Sequence, residues 1–375
     1  MRIVFWENIV SQHKLPYWIE LARNKKVSDF ILVVQEDLPE SLIKNGWENT
    51  LSKSHGPKII FSPNIEQIKH ILEKEITNSY HVFSGIRAFP MVYNAFNLSR
   101  NYPVKRILLT ESLNMYGKRA LTRRLAALLI ERRYLKHYDL VLGSGSNTKT
   151  WYLENGLKPS CFYPFMYTVN TPERLDENLP TDILRFVFVG QLIKRKGLDL
   201  LLKALAQISH KNWILDIYGT GSDENTYKTL STKLDVSDKV SFKGVLKNSE
   251  LQSSLQNYHT LVLPSRFDGW GAVVNEAIAA GTRVLCSDHC GASVLLINQQ
   301  IGMTFKSGNI KSLVKGLNTQ IEEINNFERK TILEFCNKLT GEKVADYFLD
   351  IIKFHYHKAG SRPLAPWLNN SEYEH

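Results

Sequence analysis

Cysteine is scarce in this 375-residue chain. The four cysteines, Cys161, Cys286, Cys290 and Cys336, are too few and too scattered for a disulfide framework, which points to a reducing compartment. No uncharged apolar run approaches the length of about 18 residues that a membrane-spanning helix needs. The opening residues, MRIVFWENIV, lack the basic stretch and long apolar core of a secretion signal. A cytoplasmic location is therefore expected, extending at most to the inner face of a membrane. No strand–GxGxxG–helix unit occurs, which argues against a plain dehydrogenase. No Asp-x-Asp pair stands at a strand end, so binding without a metal is favoured and no cofactor is expected. Asp288, His289 and Cys290, taken with Cys286, match no strong zinc spacing. Aromatic residues are not interleaved with the densest run of cations, so nucleic acid is a poor fit as a partner.

What is present describes an ordinary soluble globular protein: 43% hydrophobic and 22% charged residues. The length suits two domains, each burying its own core. Lys and Arg number 47 against 37 Asp and Glu, a formal charge of +10. Such a surplus suits a polyanionic or membrane-surface partner.

Short apolar runs at 3–6, 30–34, 58–61, 81–85, 106–110 and 138–143 alternate with helical patterns in the first half. The second half repeats the alternation, with strands at 185–189, 214–218, 240–242, 261–263 and 283–287. Continuous apolar strands separated by helices imply parallel sheets covered on both faces. The expected fold class is α/β, with two Rossmann-like, doubly wound domains facing across a cleft. Residues 1–170 form the first domain and 183–345 the second. The stretch 171–182, rich in proline and acid, is the expected linker. A terminal helix and tail, 346–375, is expected to return to the first domain. In such sheets ligands bind at the carboxyl edge.

The chain is organised around residues 264–281, PSRFDGWGAVVNEAIAAG. A buried strand enters it, Asp268-Gly269-Trp270-Gly271 turns, and a helix follows from Ala272 with Gly281 as its stop. Exposed amides at such a turn favour phosphate. Asp268 and Glu276 flank it, too far apart for a carboxylate dyad and suited to hydroxyls on either side of a phosphate. A plain corner with two solvated acids is the competing interpretation. A second loop, Gly190-Gln191-Leu192-Ile193-Lys194-Arg195-Lys196-Gly197, places three cations after a buried strand, where they suit a diphosphate. Gly219-Thr220-Gly221 after the next strand, and Gly244-Val245 after the one following, are weaker signals for a nucleotide.

Taken in order, these motifs resemble the donor domain of a family 4 glycosyltransferase of the GT-B fold, strongly over residues 185–305. The resemblance implies a retaining enzyme that moves a sugar from a nucleotide-diphosphate sugar to a hydroxyl of a saccharide or lipid-linked acceptor. Asp268 would then approach donor-sugar hydroxyls, and Glu276 would bind the ribose. The amides of Gly269, Trp270, Gly271, Ala272 and Val273 would hold the diphosphate together with Lys196. The family has arginine where this chain has Gln191, a deficit that Lys194 or Arg195 would make good. Gly219, Gly221 and Val245 would lie along the nucleotide. Many relatives carry a histidine near residue 110; Thr110-Glu111-Ser112 stands here, and Glu111 is the candidate to contact the sugar or deprotonate the acceptor. Cell-envelope polysaccharide or glycolipid synthesis is the expected setting. Two other readings stay open: a nucleotide-sugar-binding subunit without activity, and a GT-B epimerase.

One stretch is left over. Residues 118–137, KRALTRRLAALLIERRYLKH, carry seven cations and one acid, with leucines at helical spacing. A basic amphipathic helix of this kind suits an anionic membrane surface. The alternative is a helix whose leucines pack on the sheet and whose cations are solvated.

Overall fold

The computed structural model describes residues 1–48, 57–111, 113–116, 120–170, 179–180, 182–209, 212–326 and 328–368. They divide into two compact units. The first comprises Met1–Pro39, Asn49–Thr168 and Thr340–Pro366, and the second Glu40–Glu48, Val169–Leu339 and Trp367–His375.

Unit 1 is built on seven parallel strands: β1 (Arg2–Glu7), β2 (Asp29–Val34), β3 (Lys58–Phe61), β4 (Ser79–Ser84), β5 (Lys105–Glu111), β6 (Leu140–Ser144) and β7 (Phe162–Phe165). Their order is β3-β2-β1-β4-β5-β6-β7. β1 is buried along its whole length, as a strand covered on both faces must be. Sequence patterning missed β7, whose FYPF carries a proline and is tolerated because the strand lies at the sheet edge. It also missed the helix Pro90–Ser99, which packs Met91, Val92, Ala95 and Phe96 into the core.

Unit 2 has six parallel strands: β8 (Leu184–Val189), β9 (Trp213–Tyr218), β10 (Val240–Gly244), β11 (Thr260–Leu263), β12 (Arg283–Ser287) and β13 (Gly302–Phe305). Their order is β10-β9-β8-β11-β12-β13. β13 was not foreseen: its GMTF opens on glycine and carries a threonine, so it offers no continuous apolar run. Each unit is thus a Rossmann-like parallel sheet, of seven strands in the first and six in the second.

The domain boundaries differ from those expected. The position 345/346 falls inside the helix Gly341–His357, which packs in unit 1 against Leu15–Arg23. A Cβ on Gly341 would lie 2.6 Å from the carbonyl carbon of Pro16, so the absent side chain is what lets these helices meet. Residues 40–48, within the stretch assigned to the first domain, group with unit 2. Most of the expected linker, 171–178 and 181, lies outside the described residues.

Candidate functional site

Sheet order reverses between β8 and β11 in unit 2, so the crevice at their carboxyl ends is the natural ligand position. Two loops meet there. The first runs from Gly190 through the short turn Lys194–Lys196 to Gly197, which has φ +76°. A Cβ on Gly197 would lie 2.0 Å from the Pro264 carbonyl oxygen, so only glycine lets this loop close on the second. The second, 264–272, runs alongside 289–292: Asp268 N donates to His289 O (3.0 Å), Gly291 N to Asp268 O (3.1 Å) and Ala292 N to Trp270 O (2.7 Å).

Side chains complete the junction. Lys196 Nζ lies 2.5 Å from Asp268 Oδ2, and Arg195 Nη1 lies 3.8 Å from Asp268 Oδ1 and 3.1 Å from the Phe267 carbonyl oxygen. Ser265 Oγ donates to Asp268 Oδ2 at 3.4 Å. Arg266, unassigned by sequence reasoning, clamps the loops: it donates to Lys194 O (2.6 Å) and forms a fork on Asp199, 2.7 Å to each carboxylate oxygen. Burial pushes the Asp199 carboxyl up, but the Arg266 hydrogen bonds and charge outweigh it and hold the group below its ordinary range. The only prior signal was an arginine directly after the Pro-Ser that ends β11.

The helix after the turn spans Val273–Ala279. Among the described residues, the amides of Gly271, Ala272 and Val273 donate to no backbone carbonyl. Gly271 has φ +89°, and a Cβ there would lie 2.6 Å from Cys290 Sγ. Trp270 is buried, its indole Nε1 donating to Asn275 Oδ1 at 2.7 Å. Glu276 is also buried, and Asn248 Nδ2 approaches its Oε1 at 3.4 Å. The helix Asn248–Leu255 starts on that residue, and its first two amides donate to Gly46 O and the Glu48 carboxylate, both at 2.9 Å.

The sequence-based candidates thus fall into four groups. Gln191, Lys194, Arg195, Lys196, Asp268, Gly269, Trp270, Gly271, Ala272 and Val273 converge on one corner, with Glu276 in the helix that leaves it. Gly219 and Gly221 lie where two loops meet. A Cβ on Gly219 would lie 2.0 Å from Gly190 O, and one on Gly221 2.5 Å from Leu192 O, so these glycines serve the packing of two loops. Val245 is exposed, just before Leu246, whose carbonyl sits against Gly46.

Glu111 belongs to unit 1, where it ends β5 and is exposed. Tyr167 OH donates to its Oε1. Burial and the Glu111 charge raise the Tyr167 phenol well above its ordinary value, so it stays a proton donor. Sequence reasoning missed Tyr167, and no local pattern marks it. It also missed Lys14, which ties the end of β1 to the end of β4: Nζ donates to Glu7 Oε1 (3.0 Å), Glu7 Oε2 (2.8 Å) and Ser84 Oγ (3.0 Å).

Cys286 and Cys290 lie in the core beneath the corner. Cys290 Sγ donates to Trp270 O at 3.0 Å, and hydrogen bonding to Cys290 together with burial pushes the Cys286 thiol up. Among the described residues, no group of three or more His, Cys, Asp or Glu is placed to hold a metal.

The corner lies within a segment that matches known proteins. Residues 170–335 match the family described as "Glycosyl transferases group 1". An uncharacterised glycosyltransferase of Haemophilus influenzae is 33% identical over 138 residues, 36% of this chain and 38% of that protein. The chain spans less than half the length of the curated relatives it matches. Among solved structures, the lipopolysaccharide outer core galactosyltransferase WaaB superposes with a TM-score of 0.67 at 18% identity, covering 96% of this chain and all of that one. Anabaena HepE in complex with UDP gives a TM-score of 0.68 at 14% identity, covering 94% and 100%. At these identities the likeness is one of fold, and the fold is GT-B.

Proposed function

We propose that the protein is a glycosyltransferase that moves a sugar from a nucleotide-diphosphate sugar to an acceptor hydroxyl with retention of configuration. The observation that carries this is the corner at the β8/β11 crevice. There Lys196 and Arg195 converge on Asp268 beside amides without backbone partners, inside the segment that matches the group 1 family. The diphosphate would take up the Lys196 and Arg195 charges and the amides of Gly271 to Val273. These groups stabilise the charge that develops as the bond from anomeric carbon to diphosphate oxygen breaks. Asp268, released from Lys196, would accept from hydroxyls of the donor sugar. Glu276, buried and acceptor-only when ionised, suits the two hydroxyls of a ribose. The acceptor oxygen bonds to the anomeric carbon as the bond to the diphosphate oxygen breaks, and its proton passes to the departing phosphate. Since the HepE complex holds UDP, sugars of uridine diphosphate head the candidate donors; the WaaB likeness makes an envelope saccharide or lipid-linked acceptor the first to try.

A thermal-shift screen of nucleoside diphosphates and their sugars tests the donor, followed by an assay of sugar release to water and to acceptor. One nucleotide should stabilise the protein. Glu276→Ala should weaken that nucleotide about tenfold or more, the loss of charged hydrogen bonds to hydroxyls. Equal affinity of the variant and wild type would remove the ribose assignment. Binding with no sugar release under any condition would leave a binding subunit in place of an enzyme.

A further inference from the structure

In the leftover basic stretch the structure departs from a helix packed on the sheet. Ala120–Ala126 is helical, Ala127–Glu131 widens into a π-turn, and Arg132–Leu135 resumes the α-helix. Only Ala127 and Leu135 of this run are buried. Leu121 and Leu129 are 69% and 68% exposed, and Leu125 and Leu128 are exposed as well. Such a cluster on one element is unlike the singly scattered apolar residues of an ordinary surface. Its one acid is turned away: Glu131 accepts from the Trp151 indole Nε1 at 3.1 Å, and burial pushes its carboxyl up. Among the described residues, Arg124, Arg132, Arg133, Lys136 and nearby Lys158 form no ion pair. A cavity of about 750 Å³ opens at the end of the segment, lined by Leu128 and Leu129 together with Arg132, Arg133, Lys136 and Lys158.

We propose that residues 120–136 and this cavity form a docking surface for an anionic lipid bilayer, with the exposed leucines entering the acyl boundary and the four lining cations taking headgroup phosphates. Charge complementarity selects this occupant. A protein groove would leave several cations to be desolvated without partners, whereas an anionic leaflet supplies a phosphate for each and apolar depth for the leucines. Among the described residues no helix is long and apolar enough to cross a membrane, so contact here would be interfacial. The surface needs no donor and stands apart from the transferase reading.

The test is co-sedimentation of the full chain with vesicles of phosphatidylcholine, with and without phosphatidylglycerol. The wild type should sediment with the anionic vesicles and be released as salt rises. Leu121→Ser/Leu125→Ser/Leu129→Ser, all exposed positions, should keep the wild-type unfolding temperature and lose at least about tenfold in binding. Arg133→Glu/Lys136→Glu should lose about fivefold or more per residue on anionic vesicles only. Absence of wild-type sedimentation at low salt would overturn the proposal. So would undiminished binding of both variants, or a leucine-dependent dimer in gel filtration that ignores vesicles.

Discussion

The two sheets share a topology yet fill their reversal points in opposite ways. In unit 2 the crevice between β8 and β11 is a meeting of backbones: Gly197 under Pro264, Gly219 under Gly190, Gly271 beside Cys290. Cations arrive from its rim, and amides are left over. In unit 1 the crevice between β1 and β4 is closed by side chains, with Lys14 spanning Glu7 and Ser84. A glycine-built edge admits a ligand's phosphates close to the main chain. An edge closed by a buried ion pair spends its charges internally, and the exposed Glu111 with its partner Tyr167 stands outside that pair.

The contrast can be broken most directly at Lys14. Lys14→Met strands a carboxylate that is 1% exposed, and should cost about 3–5 kcal/mol in chemical denaturation. Adding Glu7→Gln should restore most of it. A loss near zero for the single variant would mean that the pair is not structural. On the glycine side, Gly219→Ala forces a methyl to within 2.0 Å of a carbonyl oxygen at φ +135°, and should cost about 3 kcal/mol. Gly244→Ala, at φ +76° with nothing near it, serves as the control and should cost only about 1 kcal/mol of backbone strain. Equal losses would show that close approach is not what the glycine serves. The smallest effect is a pH dependence. His81 is buried in unit 1, bonded to Trp6 Nε1 and Ser79, and burial with the Arg2 and Arg106 charges lowers its pKa from 6.5 to about 3. The unfolded chain therefore binds a proton that the folded one refuses. The stability tied to neutral His81 is complete above the unfolded value and is lost as pH falls from 6.5 toward 3. By about pH 5.5 the loss should reach about 1 kcal/mol. His81→Gln should flatten that slope, and an unchanged slope would assign it to other groups.

Much of unit 2 was legible because its signals are local. A strand, a proline break, a glycine turn and a helix lie within twenty residues of one another around Asp268, and Lys194 to Lys196 follow β8 directly. The Lys196–Asp268 pair was not legible, for its members are 72 positions apart and each makes sense alone. What Gly219 and Gly221 pack against was not legible either, because a glycine does not announce which backbone it must let pass. The edge strands β7 and β13 went unread because FYPF is interrupted by proline and GMTF opens on glycine and carries a threonine, so neither offers a continuous apolar run. The leucines of 120–129 have the spacing of a buried face, and spacing does not say whether another element comes to cover it.

By itself the amino-acid order determined the alternation of buried strands and helices, the parallel sheets that follow from it, and the residues offered at each strand's carboxyl end. Periodicity and turn chemistry act between near neighbours, so they can be read from the chain. Only the tertiary structure decided that Asp268 receives Lys196, that Lys14 closes the other edge, that residues 40–48 cap a helix of unit 2, and that the leucines beside Arg124 face outward. Each of these depends on which distant surface arrives to exclude water, and water exclusion sets whether a charge or a methyl group is partnered, buried or left free.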